Sequence, residues 1–152
     1  MSLMTTVSKV KKICDEKELD LFLIGDSAKG VDTKEDKVFM MGCKAEDFEK
    51  IGDQPFVFGE KIEGAKIDFV DNRAFKIRDT EGNLVIIAAY FLDGDMRYCP
   101  YSNKKGSLRF PDALLDEMKK KKIGTKYFYI PTPIEDYLVA TFNEDGKYNV
   151  TS

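Results

Sequence analysis

The chain has 152 residues, 43% of them hydrophobic and 34% charged, and its 24 basic and 27 acidic side chains leave a net charge of −3. That composition reads as one globular domain with a sizeable core, not as a disordered chain, and without the basic field of a nucleic-acid binder. There is no histidine, which excludes His-ligated metals, nucleophiles activated by imidazole and imidazole acid–base work.

In chain order, Met1, Ser2 and Leu3 ahead of Met4 read as an expression remnant, so the domain is expected over residues 4–152. Residues 6–18 set Val7, Val10, Ile13 and Cys14 on one face, which is helix spacing. Residues 21–24 are an apolar run ending at Gly25, a buried strand entering a tight turn over residues 25–30. Residues 37–41 read as a second buried strand and residues 44–51 as a short helix burying Phe48 and Ile51. Strands are predicted at 56–58, 66–70, 74–78 and 84–92, with Thr80, Glu81, Gly82 and Asn83 as a hairpin loop. Pro111 then opens a predicted helix to Lys122 that ends in four lysines before Gly124. Residues 127–130 read as a strand, and Thr132, Pro133, Ile134 and Glu135 as a capping box opening a last helix to about Phe142. The order implies an α+β domain, a mixed sheet flanked by helices.

Three cysteines, at 14, 43 and 99, have no paired spacing and argue for free thiols in a reducing, cytoplasmic setting. No apolar run approaches the ~20 residues of a membrane helix, and no secretory signal pattern is present. Phe91, Tyr98, Tyr101 and Phe110 interleave with Arg97, Lys104, Lys105 and Arg109. In a net acidic chain these read as core aromatics beside a solvated basic loop, so nucleic acid is not the expected partner. Asp93 and Asp95 flank Gly94 as ordinary turn chemistry, with a metal at that strand end as the other reading.

The turn Gly25, Asp26, Ser27, Ala28, Lys29, Gly30 has two glycines that let the backbone approach an anion, but it lacks the Lys and Ser/Thr of a Walker A loop. With the acidic segment after it and the helix Glu46-Asp47-Phe48-Glu49-Lys50-Ile51, this turn resembles the opening of the LicD/fukutin branch of the nucleotidyltransferase superfamily. Residues 84–94 and the Ile130-Pro131-Thr132-Pro133-Ile134-Glu135-Asp136-Tyr137-Leu138 block are similar to later segments of that family. The resemblance implies a nucleotidyltransferase-like sheet and Mg²⁺-dependent transfer of a phospho-substituted group or nucleotidyl unit.

Carried over by position, the family's three metal-binding aspartates fall on Lys37, Phe39 and Ala88, none of which offers a carboxylate oxygen. The resemblance therefore implies a degenerate site, with these three side chains facing one cleft. A shifted register instead assigns catalysis to Glu35, Asp36 and Asp68, with Mg²⁺ held by Asp36 and Asp68. Gly25, Asp26, Ser27 and Ala28 would hold a nucleotide or phosphorylated small molecule. The contrasting expectation is a small α+β interaction protein with no nucleotide site.

Overall fold

The computed structural model describes residues 2–29, 37–52, 56–70, 73–99, 109–123 and 126–141. Helix α1 (Leu3–Glu16) buries Leu3, Val7, Val10, Ile13 and Cys14 along one stripe, and Ser2 caps it by accepting the Thr5 N–H at 3.2 Å. Of the residues set apart in the sequence reading, Ser2 is thus the cap and Leu3 the first residue of this helix. α1 closes in a Schellman turn: Leu19 N–H reaches the Cys14 carbonyl and Glu18 N–H the Asp15 carbonyl, each at 3.0 Å. Glu18 takes a left-handed φ of 59° there, where glycine is usual.

The remaining elements are β1 (Phe22–Leu23), α2 (Gly25–Lys29), β2 (Val38–Lys44), α3 (Ala45–Gly52), α4 (Phe56–Lys61), β3 (Lys66–Val70) and β4 (Ala74–Arg78). They continue with β5 (Leu84–Asp93), β6 (Met96–Tyr98), β7 (Phe110–Pro111), a 3-10 turn (Asp112–Leu115), β8 (Lys119–Ile123), β9 (Lys126–Ile130) and α5 (Ile134–Thr141). The sheet runs β3-β4-β5-β2-β1-β9-β8, with β6 and β7 added beside the far end of β5. β2 is parallel to β5 and β1 to β9, and every other pairing is antiparallel. This is a single compact α+β domain with a mixed sheet, as the element order implied.

Alternation divides the core in two. Phe39, Met41, Phe75, Val85, Ile87 and Phe128 share one face, against which Phe48 of α3 and Phe58 of α4 both pack on Phe75, with ring centroids at 5.0 and 5.8 Å. α1 lies on the same face, its Lys11 ammonium 5.7 Å from the Phe128 centroid. The opposite face holds Phe22 and Tyr90, covered by Phe110 of β7, on which Tyr137 of α5 packs edge-on at 5.1 Å. Gly42 sits between Phe22 and Tyr90, so close that a Cβ there would lie 2.8 Å from both rings.

Two buried polar knots pin these layers. At the β4–β5 hairpin, Asp79 accepts from the Thr6 hydroxyl of α1 (2.6 Å), the Glu81 and Asn83 N–H groups (2.8 and 2.9 Å) and the Asn83 amide (2.8 Å). Burial alone would raise its carboxyl, but these donors hold it below the usual aspartate value. On β6, the buried Arg97 guanidinium donates to Asp112 (2.6 Å), Glu46 (2.9 Å) and the Tyr90 carbonyl (3.1 Å), tying α3, β5 and the 3-10 turn together. Partial burial pushes the Glu46 carboxyl up, and the Arg97 hydrogen bond and charge outweigh it and hold it below its ordinary range.

Several local expectations give way. The predicted helix from Pro111 to Lys122 is a single 3-10 turn followed by strand β8, because the four lysines offer no apolar face to bury while β9 offers a full antiparallel ladder. The predicted strand 56–58 is helix α4, since Phe58 and Ile62, four apart, both bury on the helix-covered face. The turn after β1 winds into α2, and β2 runs on to Lys44 before α3 begins. The expected capping box is absent: Thr132 donates its hydroxyl back to the Ile130 carbonyl (3.3 Å), and α5 starts at Ile134 after a cis Thr132–Pro133 bond.

Candidate functional site

The corner singled out in the sequence is built by three elements. Gly25 starts α2 with φ 56°, a left-handed value that favours glycine at this abrupt strand-to-helix change. The Ile24 N–H donates to the Met40 carbonyl (3.3 Å) and the Met40 N–H to Ser27 Oγ (3.0 Å), so α2 is laced to β2. The Gly25 N–H donates to the Tyr137 hydroxyl at 3.3 Å, and the Ala28 N–H to the Ile24 carbonyl at 3.2 Å. Gly25, Ser27 and Ala28 are all buried. A phosphate approaching the Gly25 N–H meets the phenol of α5, itself fully buried against Phe110.

The three positions expected to share a cleft do not. Phe39 pairs with Val85 and Ala88 with Gly42, an odd offset that puts Phe39 and Ala88 on opposite faces of the sheet. Both are fully buried, Phe39 against the Phe128 ring at 5.3 Å. Lys37 lies outside the core at the mouth of β2, its ammonium donating to the Glu81 carbonyl at 3.1 Å. No rotamer change brings these side chains to one point, because a strand presents alternate residues to opposite sides. As donors they do not fit Mg²⁺, which needs oxygen ligands.

Asp68 is exposed on β3, across from Lys76 on β4. Glu35 and Asp36 fall outside the described residues, as does the side chain of Asp26. Asp93 is ion-paired with Arg109 at 3.1 Å, and Asp95 is exposed on the β5–β6 turn. Among the described residues no three His, Cys, Asp or Glu side chains gather as a metal cluster. No protein-family model matches the chain, and no curated protein matches it.

A concavity lies elsewhere. A cleft of about 420 Å³ opens between the end of α1 and the β8–β9 hairpin, lined chiefly by Lys11, Glu18, Asp20, Lys120, Tyr127 and Tyr129. Lys11 is held by Asp15 at 2.7 Å. Sequence reasoning missed this cleft because its lysine wall was read as a helix end. It read Arg97 with the neighbouring cations of a solvated basic loop, whereas Arg97 is buried, and it missed the Asp79 knot, although Asp79 followed by Thr80-Glu81-Gly82-Asn83 is a recognisable Asx-turn pattern. Cys14, Cys43 and Cys99 are buried and in no disulfide. Burial pushes Cys14 up to about 12 and Cys43 well above its ordinary value, so neither is a nucleophile in the folded protein. Among the described residues no helix is long and apolar enough to cross a membrane.

Proposed function

We propose that this is a nucleotidyltransferase-like domain of LicD/fukutin type that works by binding and has given up metal-dependent transfer. The resemblance asks for β1, β2 and β5 as neighbouring strands with a glycine turn between the first two. β1 pairs with β2, and β2 with β5. That strand neighbourhood carries the reading, whereas the placement of Phe39 and Ala88 in hydrocarbon on opposite faces, where introduced oxygen donors could not share a cation, removes the position-by-position match to a metal site and with it the support for metal-dependent transfer. Scattered cysteines in no disulfide suit a reducing cytoplasmic setting. The engagement of the Gly25 N–H by Tyr137 favours the second reading, an interaction protein with no nucleotide site.

Thermal melting with nucleoside triphosphates and with inorganic phosphate, each with and without Mg²⁺, tests both. A ligand at 100 times its Kd stabilises the folded state by about 2.7 kcal/mol. The binding reading expects an upward shift that is the same with and without Mg²⁺. A shift that needs Mg²⁺ restores the transferase and makes Asp36 and Asp68 the ligands to test. No shift with any of these leaves the interaction protein.

A further inference from the structure

β8 ends the sheet, and among the described residues no strand pairs with its outer edge. A bare edge presents backbone N–H and C=O groups to any extended segment that arrives. This edge carries Lys119, Lys120, Lys121 and Lys122 in succession. Alternation sends Lys119 and Lys121 to one face and Lys120 and Lys122 to the other, so the strand is cationic on both sides. Three of the four are exposed and Lys121 is half-buried. None joins the ion pairs formed among the described residues, and Lys122 instead lies 5.9 Å from the Tyr127 ring centroid. Lys126, exposed on β9 opposite Ile123, extends the patch. This concentration of cations runs against the net charge of −3.

The charge pattern selects the occupant. A second copy of β8 laid along the edge would set lysine against lysine, which is destabilising in cross-strand pairs. An acidic strand would instead meet complementary charge on both faces. We propose that the β8 edge is a docking site for an extended acidic peptide segment of a partner protein, which adds to the sheet as a further strand. Backbone hydrogen bonds supply the affinity, and the carboxylates beside Lys119–Lys122 supply register and selectivity.

Fluorescence anisotropy on the intact protein tests this with a labelled synthetic peptide of alternating glutamate and threonine. Three probes accompany it: its lysine–threonine counterpart, a version N-methylated at alternate residues, and an oligothymidylate. The expected result is binding of the acidic peptide alone, weakening as salt rises, and at least about tenfold weaker when the peptide is N-methylated. The double variant Lys120→Glu, Lys122→Glu, with its fold checked by circular dichroism and melting, should also bind at least about tenfold more weakly. Absence of binding at low salt overturns the proposal. Equal affinity for the N-methylated peptide shows attraction by charge without strand addition and overturns it too. Tighter binding of the oligothymidylate reassigns the patch to nucleic acid.

Discussion

The corner where α2 meets β2 and α5 and the outer edge at β8 are built on opposite terms. In the corner, Gly25, Ser27, Phe39 and Tyr137 are buried, and the Gly25, Ala28 and Met40 N–H groups are answered from within the fold. At the edge, four consecutive lysines stand beside a cleft, on a strand whose outer side pairs with no other strand among the described residues. Packing makes the corner intolerant of change, whereas solvation makes the edge tolerant of it. A chemical motif in a sequence names residue types, but exposure decides whether they can meet a ligand.

Substitutions should separate the two regions by size of effect. Asp79→Ala, in the knot that fastens the buried side to α1, should cost about 3 kcal/mol in urea unfolding, since it removes the acceptor of three buried hydrogen bonds and one half-buried one. The same knot sets a pH response. The folded Asp79 carboxyl titrates below its unfolded value of about 3.9, so its stabilisation is complete above that value and is lost as pH falls through the folded one. Urea midpoints from pH 6 down to pH 2 should decline less steeply in Asp79→Ala than in the parent. Gly42→Ala should cost about 2 kcal/mol, because its Cβ would be driven into the Phe22 and Tyr90 rings. Tyr137→Phe should cost about 1 kcal/mol by leaving the Gly25 N–H without its acceptor; a neutral result there would mean the corner is less closed than its geometry indicates.

On the open side the sign turns. Glu18→Gly should stabilise by roughly 0.5–1 kcal/mol, because glycine adopts the left-handed Schellman position without a Cβ penalty. Lys120→Glu should stay within about 0.5 kcal/mol. If Lys120→Glu unfolds the protein as readily as Gly42→Ala, β8 is part of the core and the contrast collapses.

What could be read from the sequence was governed by how local the deciding interactions are. β3 and β4 fall where expected because turn residues bound short strands, and Asp79 to Asn83 forms its loop from its own side chains. β5 was short by one residue only, extending to Asp93. β8 was misread because lysine is a good helix former in isolation, whereas its state here is set by pairing with β9. At α4, Phe-Val-Phe has strand propensity, and burial of Phe58 against Phe75 overrides it. The position of the Gly25 turn after β1 was legible, but the group that meets its N–H comes from Tyr137, 112 residues away, and nothing local announces it. The opposite facing of Phe39 and Ala88 depends on the β2–β5 register, which a single sequence does not contain.

The three buried thiols turn the molecule into its own clock. Cys14 lies in α1, Cys43 in β2 and Cys99 just after β6, so each belongs to a different piece of the fold. A thiol reagent needs access and a thiolate; burial withholds access from all three, and at Cys14 and Cys43 the thiolate too, until the surrounding piece opens. Site-resolved labelling at neutral pH would therefore count openings rather than surface encounters. Equal rates at the three positions would mean that the domain opens as one cooperative unit. A faster Cys14 would mean that α1 lifts away while the sheet stays shut, with the Thr6–Asp79 hydrogen bond as the latch whose breaking sets the tempo.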